Sequence, residues 1–226
     1  MRYRYILLDL DNTLYDTRQT EQKAMSAFLD HYAPEAEKSK LFSNYRELNE
    51  NLWQALESGK LEIKKFNQER FRRFFAQESI LADPAEAGNY YLALLCKYHL
   101  FYPEAEEIYE YLTKKYKVAL ITNGLRVAQK QRIKQTFLKR EISPLYIGEV
   151  IGHHKPAAGV VDHIMVKENW MERDKIIIIG DSLRSDILCA VNSGISSIWC
   201  NFTGEDPGVY QPDYTVHNLL EIKNIL

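Results

Sequence analysis

Three short apolar runs constrain this chain more than any other feature of its sequence: Tyr5-Ile-Leu-Leu-Asp9, Val118-Ala-Leu-Ile-Thr122 and Ile176-Ile-Ile-Ile-Gly-Asp181. Each has the length of a strand, is apolar throughout rather than alternately, and stops at a small polar residue. Strands covered on both faces read this way, as those of a parallel sheet do. The stretches between the runs carry helical patterns at 103–115, 127–137 and 157–169. Residues 196–201 form a further strand candidate, 214–216 a short edge strand and 218–226 a closing helix. Together these predict an α/β, Rossmann-like three-layer core built on a parallel sheet.

Between the first and second runs the pattern changes. Apolar and aromatic residues recur at helical spacing, which predicts helices over 21–32, 38–57, 63–77 and 84–99. Asp83 is the expected N-cap of the last, with Pro84 at its first position, and Gly59 is the expected stop of the second. The expected division is a core domain of 1–16 and 100–226 with an inserted all-helical cap of 17–99. An insertion after the first strand of a doubly wound sheet stands above the carboxyl ends of the strands, where ligands bind in that architecture. Phe71, Phe74 and Phe75 fall on one helical face with Arg70, Arg72 and Arg73 around it, which reads as packing within the cap. Trp53 is read the same way, with stacking on a substrate base as the alternative.

The charge balance narrows the partner. Lys plus Arg number 29 against 31 Asp plus Glu, a net charge of −2, so nothing draws the whole protein to nucleic acid or an anionic membrane. A small-molecule partner is expected. Asp9 and Asp11 interrupt the apolar stretch a signal peptide needs, and no run approaches the roughly 18 apolar residues of a membrane span. Cys96, Cys189 and Cys200 are few, odd in number and set in apolar segments, which suits reduced thiols and a cytoplasmic location.

If the three runs are parallel neighbours, Asp9, Thr122 and Asp181 emerge together at one sheet edge. Carboxylates of Asp9, Asp11 and Asp181 crowded there are desolvated and mutually repelled unless a cation compensates, which argues for a bound divalent metal. Oxygen-only ligation favours Mg2+ over zinc. His153 and His154 are adjacent, an arrangement in which side chains usually point apart, and have no evident third ligand, so they are read as loop or phosphate-neighbourhood residues and not as metal ligands.

In order, Asp9-Leu-Asp11-Asn-Thr13-Leu, Thr122-Asn-Gly, Lys155-Pro156 and Gly180-Asp181-Ser-Leu-Arg-Ser-Asp186 resemble the four motifs of the haloacid dehalogenase-like hydrolase superfamily, in its helical-cap form. Asn49-Glu-Asn-Leu-Trp53, Gly59 and Arg70-Phe71, with Thr122-Asn123-Gly124 and Ser185-Asp186-Ile187, are similar to its pyrimidine 5′-nucleotidase branch. The resemblance implies that Asp9 is a nucleophile forming an aspartyl phosphate and Asp11 the acid and base. It implies Mg2+ held by Asp9, the backbone carbonyl of Asp11 and Asp181, with Asp186 in support. Thr122 and Lys155 would hold the phosphate, joined by backbone amides near Asn12 and Asn123.

Asp11, two residues after the nucleophile, sets this chain apart from haloacid dehalogenases and phosphonatases, which typically lack that second aspartate. The expected substrate is a small phosphate ester, with pyrimidine nucleoside 5′-monophosphates first. Phosphoglycolate or sugar-phosphate hydrolysis, a hexose-phosphate mutase and a non-enzymatic phosphoacceptor module stay open as alternatives.

Overall fold

The computed structural model describes residues 2–57, 60–140 and 143–226; the helix stop expected at Gly59 lies outside them. In chain order the elements are β1 (Tyr5–Asp9), α1 (Thr17–Tyr32), α2 (Lys38–Glu57), α3 (Ile63–Glu78), α4 (Pro84–Lys97), α5 (Ala105–Lys115), β2 (Lys117–Thr122), α6 (Arg126–Lys134), β3 (Leu145–Ile147), α7 (Gly148–Ile151), α8 (Gly159–Glu168), β4 (Ile176–Gly180), α9 (Leu188–Ser193), β5 (Ser196–Cys200) and β6 (Tyr214–Val216). The chain divides into two compact units, Met1–Asp16 with Phe101–Leu226, and Thr17–Leu100.

The first unit is a six-stranded sheet of order β3-β2-β1-β4-β5-β6, parallel at every pairing. Its three apolar runs are the adjacent strands β2, β1 and β4. Alternation along each explains why no polar position interrupts them. Ile6, Leu8, Leu120 and Ile177 pack into one cluster with Ile108 and Leu112 of α5. Leu7, Ile121 and Ile178 pack into another with Val161 and Ile164 of α8 and Ala190 of α9. Both faces are therefore buried, which is the three-layer arrangement expected. Register aligns the carboxyl ends: Asp9 pairs with Ile121, one residue before Thr122, and Leu8 pairs with Ile179, two before Asp181. The chain winds outward from β1 in both directions, so β1 and β4 flank a switch point.

The structure differs from expectation at short elements. β3 and α9 carry too few residues for a periodicity to register. Leu183–Ile187 forms a π-helical turn, with the Ser182 carbonyl accepting from the amides of Asp186 (2.8 Å) and Ile187 (3.1 Å). The expected closing helix is present at Leu219–Asn224, in 3-10 geometry. Residues three apart eclipse in that geometry, and it buries Leu219 and Ile222 together.

The second unit is built from α1 to α4 around Phe28, Tyr45, Phe71, Phe74 and Tyr91. The Asp83 carboxylate accepts from the amides of Ala85 and Glu86, both at 2.8 Å, and caps α4 as its sequence predicts. Trp53 is half-buried against Phe66, ring centroids 4.3 Å apart. Arg70 goes further into the packing than its neighbours and is only 2% exposed. Its guanidinium donates to Asn49 Oδ1 (3.2 Å) and Asn67 Oδ1 (2.6 Å) and lies over the rings of Phe66, Phe71 and Tyr91. Hydrogen bonds and aromatic faces compensate the buried charge. Arg72 and Arg73 do reach outward, pairing with Glu69. No helix among the described residues is long and apolar enough to cross a membrane.

Candidate active site

The site grows from the ends of β1, β2 and β4. After Asp9 the chain leaves the sheet in a tight turn, in which the Leu10 carbonyl accepts from the amides of Leu14 (3.0 Å) and Tyr15 (2.9 Å). Asn12 takes φ of +59°, a left-handed conformation that asparagine tolerates better than most residues. This turn carries Asp11 out of the strand geometry that set Asp9.

Asp9 is buried at 4% exposure. Its Oδ1 accepts from Lys155 Nζ at 2.5 Å, and the same ammonium donates to Asp186 Oδ1 at 2.6 Å. Asp9 Oδ2 is buried and accepts no hydrogen bond from the described residues. Burial, reinforced by Asp186 and Asp11, outweighs the attraction of Lys155 and pushes Asp9 up to about 7. Burial opposes the charge on Lys155 too, but Asp186 and Asp9 prevail and hold it firmly protonated.

Asp181 follows β4, and its backbone carbonyl is fixed by the Trp199 indole at 2.8 Å. The π-helical turn then brings Asp186 back beneath the strand end, where its Oδ2 accepts from the Ser182 amide at 3.0 Å. A β-carbon on residue 180 would collide with the Asp186 carboxylate, so this return requires Gly180. One ligand oxygen from each of Asp9, Asp181 and Asp186 lies within 4.8 Å of the others. Three clustered carboxylates, two of them bonded to one ammonium, with a buried oxygen left without a donor, fit a hard divalent cation. Asp186 thus joins the acidic cluster, with its two oxygens already engaged by Lys155 and Ser182.

Asp11 takes a different setting. Its Oδ1 accepts from Arg132 at 2.7 Å, and its Oδ2 from Gln129 and, at 3.4 Å, from the Thr122 hydroxyl. Thr122 Oγ1 in turn accepts from the Gly124 amide at 2.9 Å. The Asn123 side chain, read from sequence only through its backbone, grips the backbone of Lys155. Sequence reasoning also missed Gln129 and Arg132, because α6 reads Arg-Val-Ala-Gln-Lys-Gln-Arg-Ile-Lys and its polar buried face is indistinguishable from its polar outer one. Their i, i+3 spacing behind Thr122-Asn-Gly is the only signal the sequence offers. The His153 and His154 rings lie against different glycines, Gly159 and Gly148.

Fold and site define a class: an α/β protein whose clustered carboxylates stand at the ends of parallel strands, beside a fixed ammonium. Residues 6–200 match the haloacid dehalogenase-like hydrolases, and the chain belongs to that family. It is 25% identical to the pyrimidine 5′-nucleotidase YjjG of Escherichia coli (strain K12) over 227 residues, covering 100% of this chain and 99% of that protein. It is 28% identical to the pyrimidine 5′-nucleotidase PynA of Streptococcus pneumoniae over 233 residues, covering 100% and 98%. A crystal structure of the HAD-hydrolase YfnB from Bacillus subtilis, bound to magnesium, superposes with a TM-score of 0.89 at 25% identity, covering 100% and 99%.

Proposed function

We propose that this hydrolase is a Mg2+-dependent phosphomonoesterase acting through an aspartyl phosphate on Asp9, with pyrimidine nucleoside 5′-monophosphates as its first substrates. The observation that carries the reading is the state of Asp9: one oxygen is held by Lys155, and the other is buried with no donor from the described residues. A carboxylate fixed by one oxygen presents the other to phosphorus. The new Asp9–phosphorus bond forms as the ester oxygen departs, dividing one displacement into two easier ones.

Asp11 gives its proton to the departing oxygen, then takes one from the water that hydrolyses the aspartyl phosphate, returning both carboxyl groups to their starting states. Lys155 and Thr122, with the backbone amides of Asn12 and Asn123, bind the non-bridging oxygens, where charge must be held as the transition state forms. Asp9, Asp181 and the Asp11 carbonyl, supported by Asp186, would hold Mg2+, whose charge offsets repulsion between carboxylate and phosphate dianion. The nucleotide preference draws on the similarity to YjjG and PynA.

The test is phosphate release from nucleoside monophosphates, hexose phosphates and phosphoglycolate, with Mg2+ and with chelator, for wild type and Asp9→Asn. The reading expects magnesium-dependent release that Asp9→Asn abolishes and a preference for uridylate or thymidylate. Release from sugar phosphates alone would replace the nucleotide by another ester. Interconversion of hexose phosphates without release would make the protein a mutase.

A further inference from the structure

Arg132 and Gln129 have no part in the chemistry above, yet both are buried and both are aimed at one carboxylate. Arg132 Nη1 stands 2.7 Å from Asp11 Oδ1, with its side chain 4% exposed against 27% for Asp11. Gln129 Nε2 donates to Asp11 Oδ2 and lies 3.2 Å from Thr122 Oγ1. The two residues are three apart on α6 and so project from one face. A β-carbon on residue 124 would collide with Gln129 Nε2, so Gly124 leaves the space through which Gln129 reaches Asp11.

The guanidinium is fixed from the other side too. It lies 5.1 Å from the centroid of the buried Tyr15 ring, which stacks on Phe101 at 4.4 Å. Tyr15 itself closes the turn that carries Asp11. Arg132 Nε and Gln129 Oε1 are buried without hydrogen-bond partners among the described residues. A helix face serving packing alone would be more stable with aliphatic side chains there. The arrangement fixes the plane of one carboxyl group at the expense of that stability.

We propose that Arg132 and Gln129 are positioning residues for Asp11, holding its carboxyl group in the orientation from which it delivers its proton to the leaving oxygen. This rests on the phosphomonoesterase reading, with Asp11 as the acid. A well-placed acid matters most when the leaving group is a poor one. An alkyl ester such as a nucleoside monophosphate must have its departing alkoxide protonated, whereas p-nitrophenolate leaves without a proton. The ratio kcat/KM reports the steps up to that departure, so the later role of Asp11 as a base does not enter.

The experiment compares kcat/KM for the best alkyl phosphate of the panel and for p-nitrophenyl phosphate, with Mg2+, in wild type, Arg132→Ala, Arg132→Lys and Gln129→Leu, each checked for folding by its Tm. Arg132→Ala is expected to lose about 10²-fold or more on the alkyl ester and less than about 10-fold on p-nitrophenyl phosphate. Arg132→Lys recovers part of the alkyl-ester loss, and Gln129→Leu shows the same selectivity at smaller size. If Arg132→Ala does not fold, Gln129→Leu carries the comparison. Equal losses on the two esters in folded variants would overturn the positioning role and leave the phosphomonoesterase reading standing. A wild type inactive on both esters would overturn that reading and this inference with it.

Discussion

Asn123 holds the backbone of Lys155 at two points: its Nδ2 donates to the Lys155 carbonyl at 2.8 Å, and its Oδ1 accepts from the Lys155 amide at 3.0 Å. A side chain at the end of β2 thereby fixes the loop whose ammonium reaches Asp9 and Asp186. Lys155→Ala should lower turnover by about 10²- to 10³-fold, as loss of one transition-state donor does elsewhere. Asn123→Ala keeps the ammonium but frees its backbone, and should lower kcat/KM by about 10- to 10²-fold. Asn123→Asp, which retains only the acceptor for the Lys155 amide, should fall between wild type and Asn123→Ala. Steady-state kinetics on the three variants checks the order.

Proton and metal compete at Asp9. Without metal, Asp9 titrates at about 7, because burial and the nearby Asp186 and Asp11 outweigh Lys155. A cation must displace that proton below about pH 7, so Mg2+ affinity should be about tenfold weaker at pH 6 than at pH 8, with proton release on binding. Calorimetric titration in buffers of different ionisation enthalpy measures both. The folded state holds a proton that the unfolded carboxyl has already lost between the ordinary value of 3.8 and about 7. The contribution of Asp9 to metal-free stability therefore declines as pH rises through that window. Affinity independent of pH across this range would contradict the assignment.

The cap on α4 gives a stability prediction for the helical unit. Asp83→Ala removes the acceptor for two amides and should cost about 1 kcal/mol, read as a lower denaturation midpoint. Asp83→Asn, which keeps an acceptor, should lose much less.

The three central strands were legible because burial on both faces leaves an unbroken apolar run, and Asp83-Pro84 was legible because capping is local chemistry. Asp9, Asp11, Thr122 and Asp181 could be named as candidates because each terminates a strand or stands in a motif beside one, and Lys155 only through its place in the set of family motifs. What the sequence concealed depends on three-dimensional return. Asp186, expected from its motif only in support of the metal, stands in the acidic cluster itself because a π-helical turn folds it beneath Gly180. Gln129 and Arg132 contact Asp11 only because of the direction their helix faces, which its uniformly polar sequence does not reveal.

The central claim is that Asp9 becomes covalently phosphorylated. During turnover of the best substrate with Mg2+, enzyme quenched in acid, reduced with borohydride and mapped by mass spectrometry should carry homoserine in place of Asp9, the product of reducing an aspartyl phosphate. The modification should require substrate and be absent from Asp9→Asn. Steady turnover with position 9 unmodified, or modification at another carboxylate, would contradict the account.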